Sequence, residues 1–453
     1  MTTAWSVRTR LSRIFDVRDG EGRVALSGFA VLLLLVIAAH TVLETARDTL
    51  LLTGPGPRAL GAVYVAIAVC TLPAAAIAGR AATRFGVRRA LTATLAVAVI
   101  APASIFALPV DRATAVTLYV VDGVLASVLV PQFWSLVGGV LTVSQGRRLF
   151  GLIAAAGVMG GVLGSGLATA AIVLMPARYL LIVAALLFAA AAAVLTRLRL
   201  TARVTRTRAA RPAVGAALRT VRDQPFLVRI ALVVFLSTST LLALDYLFKS
   251  SVARELPRAA VGPFVARYYF ALNLVSLVVQ LFVASAVVRA MGVASALLVT
   301  PALLLLAAAG AFVSGGAMPA VLALKGIDGS LRHSIHRITG ELSYLPVPTA
   351  ARQRVKPLVD GAVARAAQTA TGAALIALGG TSLVSARPFA LGVTLLALGW
   401  LGVAVTMRRP YLALLRRAIR GVSLGDASGS VDAIDLESAE VLVQRLASED
   451  PLE

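Results

Sequence analysis

The stretch from Val24 to Leu52, VALSGFAVLLLLVIAAHTVLETARDTLLL, decides how the rest of the chain is read. A helix needs about 20 mainly apolar residues to cross the bilayer core, where lipid offers no partner for free backbone N–H and C=O groups. This stretch is long enough to cross, yet its second half carries His40, Glu44, Arg47 and Asp48. An ionised side chain at mid-bilayer costs about 2.5–3.5 kcal/mol on insertion scales, so such residues face a bundle interior rather than lipid. The segment therefore reads as one wall of a polar membrane interior.

Eleven further segments have the same character: Leu60 to Ala78, Ala90 to Leu108, Ala113 to Leu141, Leu149 to Met175, Tyr179 to Leu195, Phe226 to Phe248, Phe264 to Val288, Val293 to Val313, Pro319 to Ile338, Leu358 to Gly380 and Pro388 to Met407. The tenth and eleventh of the twelve are the most charged. Composition agrees, with 59% hydrophobic and 14% charged residues among 453 and a mean hydropathy of +0.88. The expected fold is an all-α membrane protein of twelve transmembrane helices in two pseudo-symmetric six-helix bundles. Its parts are a cytoplasmic N-terminal extension (1–23), a first bundle (24–196), a basic loop (197–225), a second bundle (226–407) and a cytoplasmic tail (408–453).

A net charge of +22 in a soluble chain suggests a nucleic-acid partner. Here the bases lie between apolar runs. With the N-terminus inside, 28 of them fall on the cytoplasmic side, whereas only Arg58, Arg112, Arg178, Arg254, Arg258 and Arg387 face out. The positive-inside rule then accounts for the charge, with both termini cytoplasmic in the cell inner (plasma) membrane, the bilayer as partner and no nucleic acid. The central loop also suits acidic headgroups, and its part from Ala213 to Arg222 suits a short interfacial helix. The single Cys70 excludes an intrachain disulfide and a cysteine metal cage. The first 22 residues lack the apolar core and cleavage site of a signal peptide.

The two halves repeat. Near the end of the first span Glu44 is followed one turn later by the base Arg47, as Asp245 is followed by Lys249 near the end of the seventh, and Asp122-Gly123 answers Asp328-Gly329; Glu44 to Asp245 and Asp122 to Asp328 have offsets of 201 and 206. Such a repeat about an axis along the membrane normal is how transporters rock two bundles around a central site. Candidate substrate-binding residues are Arg47, Asp122, Asp245, Lys249, Lys325, Asp328 and Arg365, with His40, Glu44 and Glu341 as candidates for coupling. Other readings fit several of them. Glu44 and Arg47 also have the i, i+3 spacing of an intrahelical pair, and His40 also suits a neutral, hydrogen-bonded core position. His333 and His336 suit packing better than a metal site. Gly157, Gly160, Gly161 and Gly164 have the small-xxx-small spacing of close helix contact rather than a phosphate loop. Neither a nucleophile with its base nor a dinucleotide fingerprint is present, so no catalytic residue, metal or cofactor is expected, and no enzyme.

Two resemblances sharpen this. Gly79 to Arg89, GRAATRFGVRR, resembles the cytoplasmic loop signature of the major facilitator superfamily, with Thr83 in place of its acid. Arg47-Asp48-Thr49-Leu50 with Thr53, Asp122 ahead of Phe133-Trp134, Thr142-Val143 before Arg147, Arg148 and Phe150, and Asp245 with Lys249 together resemble the ADP/ATP carrier family of plastids and intracellular bacteria, including relatives fused to HEAT-like repeats. Glu341 to Pro346, ELSYLP, followed by Lys356 and Asp360, is the most specific match. The sequence departs at Gln368-Thr369, where the family has Lys-Ser, and at Ser135 to Gly138, where its Asn is lost. The resemblance implies nucleotide exchange, with Arg47, Asp122 and Asp245 inheriting the membrane Lys and Glu roles. The expected activity is ATP/ADP or related phosphorylated-anion exchange by alternating access. A proton-coupled carrier for another organic anion, and a non-transporting scaffold or sensor, are the alternatives. The tail, with an amphipathic Ser438 to Leu446, is expected to be mobile or to dock a cytoplasmic partner.

Overall fold

The structure is a computed structural model that describes residues 25–198, 214–382 and 385–424. The N-terminal extension, the Arg-rich first part of the central loop and the Ser438 to Leu446 stretch lie outside the described residues.

Apolar length turns into helix. The first half comprises α1 (Val31–Thr53), α2 (Leu60–Phe85), α3 (Val87–Ala107), α4 (Arg112–Val140), α5 (Val143–Leu174) and α6 (Leu180–Arg197). A short amphipathic helix, α7 (Val214–Asp223), precedes the second half: α8 (Pro225–Glu255), α9 (Arg258–Val278), α10 (Ala284–Val313), α11 (Met318–Leu331), α12 (Arg337–Leu342), α13 (Thr349–Pro357), α14 (Ala364–Leu378) and α15 (Ala386–Leu424). Among the described residues nine helical stretches are long and apolar enough to cross a bilayer, and one of these, Arg258–Val313, runs for 56 residues. It folds back at Gly292, whose φ of +72° only glycine adopts without strain, and so makes two passes. Gly86, at φ +88°, turns the chain between α2 and α3 in the same way. The two turns are 206 residues apart, the offset already seen for Asp122 and Asp328.

A π-helical turn at Val279–Val283 follows α9, and the remaining two passes, expected at Pro319 to Ile338 and Leu358 to Gly380, carry such turns as well. These lie at Arg332–His336 between α11 and α12 and at Leu358–Val363 ahead of α14. Such turns leave backbone groups out of the regular ladder and concentrate at functional sites. The last helix also runs past the boundary expected at 408, to Leu424.

Within the first half α1 lies at the centre, against α4, α5 and α6; in the second half α8 packs on α11, α14 and α15. The halves meet through α2 with α14 and through α9 with α5. Close backbone approach explains the glycines. A Cβ on Gly372 would stand 2.7 Å from the Gly61 carbonyl oxygen across the seam, and one on Gly164 would stand 2.5 Å from that of Ala38 in α1. Apolar side chains such as Ile77, Ile100, Leu186 and Leu306 are more than three-fifths exposed around the outside, as a surface solvated by acyl chains requires. Inside, the core of the second half recruits Leu51, Leu60, Val63 and Tyr64 from the first. These residues lie at the end of the bundle away from the chain termini, and there the halves are sealed.

Candidate functional site

On the side of the termini the halves part around a cavity of about 990 Å³. Its first-half wall is built by His40, Glu44 and Arg47 of α1, Trp134 of α4, and Phe150 and Gly161 of α5. The second-half wall is formed by Asn273 of α9, Gln280, and the π-turn and α12, which supply Arg332, His333, Arg337 and Glu341. Trp134 and Phe150 meet edge to face at 5.7 Å, giving the first wall an aromatic surface. The opposite wall is basic. Among the described residues Arg337 has no bound carboxylate, whereas Arg332 donates to Asp328 through Nη2 at 2.5 Å and Nε at 3.2 Å. From sequence, packing suits both His333 and His336. In the structure His336 packs edge-on to Trp400 at 5.1 Å, while His333 lines the cavity.

The floor is a chain of alternating charges. His40 Nδ1 lies 2.9 Å from Asp122 Oδ1, and the other Asp122 oxygen accepts from Arg47 Nη1. Arg47 also donates to Glu44 at 3.0 Å, the i, i+3 pair that its spacing allowed, and stacks over the Tyr119 ring at 4.3 Å. Beyond it Asp48 pairs with Lys249 at 3.1 Å, Lys249 donates to Asp245 at 2.7 Å, and Lys325 donates to Asp245 at 2.8 Å and reaches Asp328 at 3.5 Å. The chain thus runs from His40 to Arg332 without a break. It contains five carboxylates (Glu44, Asp48, Asp122, Asp245, Asp328) and four permanent bases (Arg47, Lys249, Lys325, Arg332). With His40 neutral it carries one net negative charge; a proton on His40 cancels it.

Three tyrosines hold the closed end. Tyr269 of α9 donates to Asp48 of α1 at 2.5 Å, Tyr64 of α2 donates to Asp245 of α8 at 2.8 Å, and Lys249 bonds the Tyr119 hydroxyl of α4. Tyr64 and Tyr269 are 205 residues apart, so each half sends its own copy of one residue to an acid of the other. The positions of Asp48 and Lys249, 201 apart, face each other where the repeats meet.

Of the residues singled out from sequence, Arg47, His40, Glu44 and Glu341 line the cavity. Asp122 is fully buried just behind it, Asp245, Lys249, Lys325 and Asp328 lie in the sealed lattice, and Glu341 also bonds Lys356 at the rim, at 2.9 Å. Arg365 is apart from all of these, bonded to Gln368 at 2.6 Å and Ser127 at 3.2 Å. Sequence reasoning did not single out Tyr64, Tyr119, Tyr269, Trp134 or Phe150 as site residues. The near-equal offset of Tyr64 and Tyr269 was a usable signal. Among the described residues no group of His, Cys, Asp and Glu is arranged to hold a metal ion.

No family model and no curated protein sequence matches the chain. Solved structures do. The nucleoside transporter NupG (D323A mutant) aligns with a TM-score of 0.60 at 12% identity over 85% of this chain and 99% of its own. A D-xylose–proton symporter aligns at 0.62 and 14% over 84% and 95%, and the human organic anion transporter MFSD10 at 0.52 and 16% over 88% and 100%. At such identities the likeness speaks for the fold alone, which is the multi-pass, all-α fold that these solved transporters have.

Proposed function

We propose that the chain is a secondary transporter that moves a small organic anion by alternating access, with a nucleotide or related phosphorylated anion as its first candidate cargo. The observation that carries this reading is the cavity between the halves, with the aromatic Trp134 and Phe150 on one wall and Arg332, His333 and Arg337 on the other. A ring can lie against the aromatic wall while its anionic group meets guanidinium, which binds phosphate or carboxylate through two parallel hydrogen bonds. The resemblance of Arg47 to Thr53 and of Glu341 to Pro346 to the ADP/ATP carriers supports a nucleotide. On the positive-inside reading the open side faces the cytoplasm, with both termini there and the bundle in the inner membrane.

The direct test is uptake of labelled ADP and ATP by proteoliposomes loaded with unlabelled nucleotide. Arg337→Gln is expected to lower uptake about tenfold or more, because a lost charge-assisted hydrogen bond costs about 1.5–3 kcal/mol. No uptake of any nucleotide under either gradient removes the nucleotide and leaves other organic anions to be screened. A proton-coupled carrier is the second reading, favoured by the His40–Asp122 pair at 2.9 Å, since the charge balance of the lattice turns on one proton there. Glu44 and Arg47 flank His40 on its own helix and share that balance. Uptake driven by a pH gradient without counter-substrate, and lost in His40→Gln, selects this reading over exchange.

A further inference from the structure

Arg365 stands in a membrane pass without a counter-ion. Its guanidinium donates to the side-chain oxygens of Gln368 and Ser127, both neutral, and no carboxylate pairs with it among the described residues. It lies outside the cavity and opens onto a separate groove of about 460 Å³ at the seam between the halves, with Ala68, Val69 and Leu72 of α2 on one side and Ala366 and Thr369 of α14 on the other. Val69 and Leu72 are more than half exposed, so this groove faces the lipid. A second, almost wholly apolar groove of about 490 Å³ shares Ala370 with it and continues along Ala374 and Leu378 between Phe235 of α8 and Phe389 of α15.

We propose that the two grooves together bind one anionic phospholipid, its phosphate on Arg365 and an acyl chain along α14. Charge and order along the helix both favour this occupant. An unpaired guanidinium in a membrane pass costs free energy that a phosphate removes, and it offers the bidentate geometry phosphate takes. Arg365 lies seven residues past Leu358, about 10 Å from the termini-side start of that pass, within reach of a headgroup that its long side chain meets part-way. The apolar groove starts at Ala370, about 8 Å further on, so its near part follows the cation in the direction in which the acyl chains of the termini-side leaflet run toward the midplane. The occupant would sit beside the Gly61–Gly372 contact, where the halves touch.

The test compares melting of the purified protein in mild detergent with added phosphatidylglycerol, with phosphatidylcholine and with inorganic phosphate. Arg267→Gln serves as a control, because Arg267 is an exposed base on α9 that lines neither groove. Phosphatidylglycerol should raise the melting temperature more than phosphatidylcholine in the parent, in Arg267→Gln and in Arg365→Lys, and that difference should vanish in Arg365→Gln. Ala374→Phe, which fills the apolar groove and keeps the cation, should also abolish it, so the proposal stays testable if Arg365→Gln does not fold. An equal phosphatidylglycerol advantage in Arg365→Gln or in Ala374→Phe overturns the site. Full stabilisation by inorganic phosphate alone overturns the lipid in favour of a small anion.

Discussion

At the end of the bundle near the termini, Arg337 and His333 look into a cavity, and the side chains of Glu44 and Glu341 are 34% and 58% exposed. At the other end Asp48 and Lys249 are at most 1% exposed, and each is held by an opposite charge and a tyrosine. The same residue types therefore meet different physics within one molecule. Charges at the open end keep water, so their interactions are screened and exchangeable, which suits a site that must release its ligand. Charges at the sealed end have lost water on both sides, so each is stable only while its partners stay in place.

The largest effect expected from this contrast is at Lys249. Removing one member of a buried ion pair costs about 3–5 kcal/mol, since the partner is left charged and unsolvated. Lys249→Ala leaves Asp48 with only the Tyr269 hydroxyl and a longer contact to Arg47 at 3.4 Å, weakens the hold on Asp245, and should lower the melting temperature sharply. Arg337→Gln at the open end should leave the melting temperature nearly unchanged while it lowers transport. A Lys249→Ala protein as stable as the parent would show that the sealed lattice does not hold the halves together.

A smaller effect should separate the seal from the fold. Tyr64→Phe and Tyr269→Phe each delete one hydrogen bond to a carboxylate and keep the ring, so either shifts the balance toward opening by about 1.5–3 kcal/mol. In a Cys70→Ser background, a cysteine at Ala154 should react readily with a water-soluble maleimide and one at Thr49, beside the seal, slowly. The tyrosine variants should speed labelling at 49 and slow it at 154. Labelling at both sites that ignores the tyrosines would mean that the hydrogen bonds accompany the closed end without holding it.

Much of this architecture was legible in the chain because the bilayer leaves few options. Apolar length marks the twelve passes, and the offset of Asp122 and Asp328 marks the repeat. Regular helix gives way to π-helical turns in the two most charged passes, at Arg332–His336 and Leu358–Val363, and also at Ala25–Ala30 and Val279–Val283 in the first and eighth. Which charges face the cavity was not legible. Helical spacing tells that Glu44 and Arg47 are neighbours, but Arg47 binding Asp122 and Lys249 binding Asp48 depend on how separate helices rotate against one another. Arg365 illustrates the limit. It carries the same charge as Lys325, with the same claim on a polar interior from sequence, and it lies at a lipid-facing seam.

The smallest effect lies at the far end too, but in water, and it isolates what burial adds. Asp111 is fully solvent-exposed at the start of α4, where Oδ1 accepts from the Thr114 backbone N–H at 2.7 Å. That bond to the first turn of the helix holds its carboxyl below the ordinary value of 3.8. A depressed folded-state value means that the ionised cap stabilises the protein at any pH above the unfolded-state value, and that this contribution is lost as pH falls through the folded-state value. Asp111→Asn keeps a competent cap without the charge. It should melt slightly below the parent at neutral pH, and the gap should close in acid below the usual carboxylate range. A gap that persists in acid would assign the difference to cap shape rather than to charge. Set against Lys249→Ala, which should cost far more, the pair measures how differently this bundle treats an ion pair sealed from water and a carboxylate left in it.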